Sequence, residues 1–207
     1  YAEGARLIQQ GRLDPTRYAV IGPGFEVLLG LVGFVVRDLF LAASLISLAS
    51  MIAMLALWRA TFRRLGGSAL ALVAVALLAS NAQVLRYGYA VTTDALALAL
   101  QAAALCVLLT RTGGRALFAA GVLAAMAFLT RYTHGVLLVA GPVVILAGWS
   151  ATSREQRVRG TLQYLAGFLA LVAPWVAYSL AHGGGAGVQL HHNLAYDVFA
   201  RSQGIPW

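Results

Sequence analysis

The sequence predicts an all-α fold: a polytopic transmembrane helix bundle of about six spans with external juxtamembrane helices. Three observations carry this. Sixty per cent of the residues are hydrophobic and only 11% are charged, whereas soluble domains carry about 25% charged residues. Uncharged apolar runs recur along the chain, most of them near the ~20 residues that a helix needs to cross a bilayer. The basic residues are all arginine, give a net charge of +8, and lie largely in the short connections between those runs. That placement is a topology signal. No basic surface interleaved with aromatics is present, so the expected partner is the lipid bilayer and not nucleic acid. The single Cys106 lies inside an apolar run and excludes an intrachain disulfide.

The opening, Tyr1-Ala-Glu-Gly-Ala-Arg, reads like the middle of a helix, so the chain is expected to be part of a longer protein. Residues 2–10 form a candidate helix lying on the membrane, ended by Gly11. A polar loop and a turn at Gly22-Pro23-Gly24 follow. Residues 27–36 are apolar but too few to span, and read as an interfacial or re-entrant helix. Residues 1–38 are therefore expected to form an external loop with juxtamembrane helices. The spans are expected at 39–58, 67–86, 92–110, 116–130, 136–149 and 161–181, with a turn at Gly66-Gly67 and kinks at Pro142 and Pro174. Residues 182–207 begin a further external loop, with a hinge at the glycine run 183–187.

The arginines set the orientation. Connections 59–66, 111–115 and 150–160 hold Arg59, Arg63, Arg64, Arg111, Arg115, Arg154, Arg157 and Arg159. The two short connections on the other side hold only Arg86 and Arg131. The positive-inside rule puts the first set in the cytoplasm. Residues 1–38, 86–94, 131–135 and 182–207 then share the external face.

The densest polar segment on that face is Arg86-Tyr87 through Thr92-Thr93-Asp94, between two long apolar runs. An arginine or aspartate costs roughly 2.5–3.5 kcal/mol at mid-membrane, so these residues mark a function or an interface anchor. Thr92 and Thr93 are N-cap candidates, and Asp94 would sit at the positive end of the helix dipole. The plain alternative is that Asp94 only caps a helix. Arg131, Tyr132 and His134 form a second cluster directly after an apolar run. Arg86 and Arg131 suit a phosphate, because the guanidinium fork pairs bidentately with phosphate oxygens; the alternative is that they snorkel to headgroups. His191 is the candidate metal ligand, joined through space by Asp94 or Glu3, and a divalent metal is the candidate cofactor. The plainer reading is a histidine at headgroup level. Gly183–Gly187 lacks the ending of a phosphate-binding loop, and no GxSxG, HExxH or CxxC motif occurs.

Several short motifs occur in a familiar order. These are Tyr-Ala-Glu on a surface helix, Gly22-Pro-Gly-Phe-Glu-Val-Leu-Leu opening a short apolar helix, and a span ending Arg-Arg-Leu-Gly-Gly. Ala-Val-Thr-Thr-Asp94 then heads a helix, and Ala-Phe-Leu-Thr-Arg131-Tyr closes one. Together they resemble the GT-C membrane glycosyltransferases, in the branch of dolichyl-phosphate-mannose–protein mannosyltransferases and aminoarabinose transferases. The resemblance covers most of residues 1–181. It implies an enzyme of the bacterial-type inner membrane with its site on the periplasmic or external face. That enzyme would move a sugar from a polyprenyl-phosphate donor to a lipid, glycan or protein acceptor. The family's acceptor-side acid would lie before Tyr1. Arg131 stands where lysine is frequent, and Ile21-Gly-Pro-Gly replaces an acid-lysine pair before two prolines. Asp94 and Glu3 are the candidate catalytic carboxylates; Arg86, Arg131, Tyr87, Tyr132 and His134 are the candidate substrate contacts. The competing expectation is a transporter or membrane scaffold, with Pro142 and Pro174 as helix breaks along a midplane path.

Overall fold

The computed structural model describes residues 1–18, 21–148 and 153–184. They form eight α-helices and two short turns of 3-10 helix, with no strand among the described residues. The fold is an all-α membrane helix bundle.

Helix α1 (Ala2–Gln9) ends where expected, with Gly11 at φ +73° and its N–H on the Ile8 carbonyl at 2.9 Å. A 3-10 turn, Pro15–Arg17, is started by Asp14, whose carboxylate accepts from the Thr16 N–H at 3.0 Å. Helix α2 (Gly24–Gly33) begins earlier than the apolar run suggests, because Pro23 at its N-cap already holds φ at −75°. It lies against α1. Gln9 donates to the Gly30 carbonyl at 3.0 Å, and Gly4 faces the Glu26 carboxylate so closely that a Cβ there would overlap it.

Asp38 caps α3 (Leu39–Ser80) by accepting from the N–H groups of Phe40 and Leu41 at 2.9 and 3.1 Å. The helix does not stop at Trp58 as expected. It runs through Arg59, Arg63 and Arg64, since arginine is a good helix former and the next breaker is Gly66. Gly66 and Gly67 leave helical geometry, Gly67 with φ +83°. The chain reverses there. Had it continued straight, Ser80 would lie roughly 43 Å beyond Met51 at 1.5 Å per residue. The eight residues of α4 (Ala82–Tyr89) could not then bring Gly88 against the Met51 side chain, where it sits. The second expected span is also broken at Asn81, which caps α4 by accepting from Gln83 and Val84 at 2.9 and 3.2 Å. Asn81 is thus a cap and not the interhelical link its type suggests.

Helices α5 (Thr93–Thr110) and α6 (Gly114–Thr130) fall close to their expected limits. A 3-10 turn, Tyr132–Val136, leads into α7 (Leu137–Leu146). Helix α8 (Arg154–Ala181) starts well before the expected residue 161 because Ser153 and Gln156 form a reciprocal capping box. Pro142 and Pro174 lie inside α7 and α8. By length and composition α3, α5 and α8 can cross a membrane; α2, α6 and the stretch 132–146 are shorter apolar helices.

The main core lies between α5, α6, α7 and α8, built from alanines around Leu108, Leu117, Ile145, Tyr164 and Phe168. Small residues dominate, as expected where helices meet in lipid and close backbone approach replaces a hydrophobic drive. Gly121 of α6 lies on the Tyr164 carbonyl and Phe168 N of α8, and Gly167 of α8 lies on the Phe118 carbonyl and Val122 N of α6. Tyr164, fully buried, donates to the Leu137 carbonyl at 2.8 Å and ties α8 to α7.

These contacts sort the connections onto two ends. At one end Gly22 and Gly24 lie against Leu129 and Thr130, Tyr132 donates to the Tyr18 carbonyl at 3.0 Å, and Tyr178 donates to the Leu13 carbonyl at 2.7 Å. At the other end Arg64 donates to the Thr110 carbonyl at 3.2 Å, Gln163 covers Gly114, and Arg157 donates to the Leu146 carbonyl at 3.3 Å.

The α6–α8 contact yields a stability prediction. Gly121→Ala places a Cβ on the α8 backbone, which cannot rotate away, so the helices must separate. The expected cost is about 1–3 kcal/mol. Gly113→Ser, with nothing near its Cβ position and a hydroxyl suited to the N-cap that Gly113 holds, is expected to lower stability by no more than about 0.5 kcal/mol. Thermal melts of the two variants in detergent check this; equal melting points would remove the contact's role.

Candidate functional site

The site is built where α5 begins and α6 ends. The two helices are antiparallel neighbours, so an N-terminus and a C-terminus meet at one end of the bundle. Asp94, in the first turn of α5, stands at a positive helix end, and Arg131, at the C-cap of α6, stands at a negative one. The two side chains reach each other. Arg131 Nη1 lies 2.8 Å from Asp94 Oδ1 and donates to Oδ2 at 2.9 Å. Each charge thus offsets both its helix end and its partner. The pair remains open to the outside, with the side chains of Arg131 and Asp94 39% and 20% exposed.

Asp94 is not a capping residue here. Asp14, Asp38 and Asn81 each accept backbone N–H bonds, whereas among the described residues Asp94 accepts only from Arg131. Thr92 holds the N-cap position but its hydroxyl makes no cap bond. Nη1 alone serves Asp94, and the other N–H donors of the Arg131 fork have no partner among the described residues.

His134 sits one short turn beyond Arg131, its backbone N–H on the Arg131 carbonyl at 3.0 Å, and is buried. Tyr132 turns elsewhere. Its hydroxyl accepts from Trp175 Nε1 at 3.3 Å as it donates to Tyr18, and its ring packs on Phe128 with centroids 5.0 Å apart. It belongs to an aromatic layer that also holds Tyr18 edge-on to Trp175 at 5.5 Å, and Trp175 beside Tyr178. This layer holds residues 13–18 onto the bundle.

The other candidates are not brought to the pair. Glu3 is exposed and held by Arg17 at 3.2 Å, and the Arg17 guanidinium draws its carboxyl below the ordinary range. Arg86 is on the exposed side of α4 and forms no ion pair among the described residues. Tyr87 packs against the Met51 and Met54 cluster. His191 lies outside the described residues, and among these no three His, Cys, Asp or Glu side chains gather in a metal-holding group.

Sequence reasoning gave Glu26 no role beyond the external face. It is buried, and Tyr18 donates to it at 2.6 Å; burial, with this bond to a carboxylate, pushes the Tyr18 hydroxyl up in pKa. The one available signal was an acid placed a single turn into an apolar helix. Trp175 and Tyr178 were also passed over, although aromatics near a helix end are the usual mark of a membrane interface.

No curated protein and no solved structure matches the chain. The family model of the dolichyl-phosphate-mannose-protein mannosyltransferases, a GT-C type of membrane glycosyltransferase, matches residues 23–178. That match runs from the start of α2 almost to the end of α8 and includes both Asp94 and Arg131, so the chain belongs to the dolichyl-phosphate-mannose-protein mannosyltransferase family.

Proposed function

We propose that the chain takes a sugar from a polyprenyl-phosphate donor at the end where Asp94 and Arg131 meet, and that this end faces the periplasm or exterior. The carrying observation is the ion pair itself: an arginine held by one nitrogen, with the rest of its fork open at the end of a membrane bundle. In transfer from a lipid phosphate, an acceptor oxygen bonds the anomeric carbon as the bond from that carbon to the phosphate oxygen breaks. The phosphate leaves with the electron pair, and the acceptor proton goes to a base. Negative charge therefore grows on the phosphate. A guanidinium already oriented by Asp94 stabilises it without reorganising. The base is not assigned to Glu3, since a carboxylate held down by Arg17 is a weak one.

The orientation rests on the arginines. The eight of the basic connections belong to the end marked by Arg64, Gly114 and Arg157, away from the Asp94–Arg131 pair. The transporter alternative has less support, because the uncharged stretches of α5, α6 and α7 carry no charged side chain between their ends.

Two experiments test this reading. In transfer assays with full-length protein, Arg131→Ala is expected to weaken donor binding about ten- to hundredfold, matching the roughly 1.5–3 kcal/mol of a charge-assisted hydrogen bond. Arg131→Lys keeps part of the activity. Asp94→Asn cuts transfer at least about tenfold, or about 1.4 kcal/mol of transition-state stabilisation. It melts near wild type, because a partly exposed pair contributes no more than about 1 kcal/mol to the fold. Unchanged donor binding in Arg131→Ala would sink the proposal.

For orientation, single cysteines on a Cys106-free background are treated with an impermeant thiol reagent in intact cells. Arg12→Cys and Thr133→Cys are expected to react, and Arg63→Cys and Thr112→Cys to be protected. The reverse pattern would place the site on the cytoplasmic face.

A further inference from the structure

Five buried side-chain polar atoms lack a hydrogen-bond partner among the described residues: Ser47 Oγ, Thr92 Oγ1, Thr93 Oγ1, His134 Nε2 and Thr161 Oγ1. Three of the five flank the Asp94–Arg131 pair. Thr92 and Thr93 directly precede Asp94, and His134 closes the turn that starts at Arg131.

Thr93 and His134 differ in kind from the rest. A hydroxyl buried on a helix is ordinarily satisfied by the carbonyl one turn back. Thr61 donates to Leu57 at 2.9 Å and Thr130 to Met126 at 2.8 Å in this way. Ser47 and Thr161 lie inside α3 and α8, so a turn about χ1 brings the same kind of carbonyl within reach. Thr92 and Thr93 have no such carbonyl. Ala90 and Thr92 are extended, with ψ of 137° and 161°, so no turn of their own helix precedes them. At the N-cap, the Thr92 hydroxyl has the free N–H groups of the first turn within reach of a χ1 rotation, whereas Thr93 lies inside that turn and its hydroxyl needs a partner from outside its own helix. His134 and Thr93 are 9% and 1% exposed, too buried for bulk water to serve, and an unpaired polar atom at such depth is costly.

The chemistry of the missing partner follows from the donor set. Two hydroxyls and one imidazole nitrogen are neutral, and each can donate or accept. That set matches a ligand bearing several hydroxyls. It matches an oxyanion poorly, since an oxyanion only accepts and none of the three groups brings a positive charge to it.

We propose that Thr93 and His134, with Thr92 beside them, form the subsite that binds hydroxyls of the transferred sugar, while Arg131 turns its remaining N–H groups to the phosphate. This deepens, and rests on, the reading of the site as one for a lipid-phosphate sugar.

The test uses the full-length protein in lipid nanodiscs and two probes, a polyprenyl-phosphate sugar and the same polyprenyl phosphate without the sugar. Thr93→Val keeps the shape and removes the hydroxyl. It is expected to weaken binding of the sugar-bearing probe about tenfold and to leave the sugarless one within about twofold. Without ligand it melts no lower than wild type, since the hydroxyl it removes has no partner. Thr93→Ser retains binding of both probes. Equal losses on the two probes, no loss on either, or a lowered melt in the unliganded variant would each overturn the subsite. Wild-type protein that binds neither probe would instead overturn the donor reading on which the subsite stands.

Discussion

The backbone-to-backbone approach of α6 and α8 is the contact on which the rest depends. Two helices in lipid gain nothing from hiding apolar surface from each other, so what holds them is close van der Waals contact and the occasional hydrogen bond. Gly121 and Gly167 supply the first, each resting on the other helix's peptide groups, and Tyr164 supplies the second by reaching α7. With α6 and α8 so placed, Arg131 at the end of one and Trp175 and Tyr178 near the end of the other stand at one level. The aromatic layer then holds the first segment of the chain through the carbonyls of Leu13 and Tyr18. A widening between two helices would thus be felt at the site, through contacts that touch no substrate.

The ion pair is placed by the same geometry. Antiparallel neighbours bring opposite helix ends together, and the charges of Asp94 and Arg131 each match the end that carries them. Such a pair is tolerable at the rim of the bundle, where both groups keep part of their hydration. At the centre, insertion costs would argue against it. The fold thereby offers a polar, oriented arginine at the only depth where one is cheap.

Much of the fold was legible in the sequence because lipid demands long uncharged runs, and those cannot be disguised. The Gly66–Gly67 turn, the limits of α5 and α6, and the Gly11 stop all follow from residue type. Helix ends in the basic connections did not, because arginine both marks a membrane boundary and continues a helix. The helix ran on through Arg63, and α8 began at Arg154, where a Ser-Gln capping box outweighed the charges. At the site, Asp94 and Arg131 were legible as polar groups after apolar runs, and their pairing followed only from antiparallel neighbours. Glu3 and Arg86 were drawn in by charge alone. Position along the chain could not show that Arg17 would occupy one of them or that α4 would carry the other outward. Tyr132 was read as a substrate contact, but a phenol with a backbone carbonyl in reach makes an anchor.

The glycine reversal after Arg59, Arg63 and Arg64 has a bearing on how the protein lies in the bilayer. The stretches 39–65 and 68–80 are apolar arms joined by a two-residue bend, and the bend is preceded by three cations on the same helix. Drawing those cations to mid-bilayer would cost about 8–10 kcal/mol together on the insertion scale. That cost keeps the bend at a face of the bilayer and not within it, so both arms run from the same face, each satisfying its own peptide groups. The second arm has Leu72, Val73 and Leu77 uncovered by any other helix among the described residues. Those side chains form an apolar outer wall of the kind that acyl chains cover.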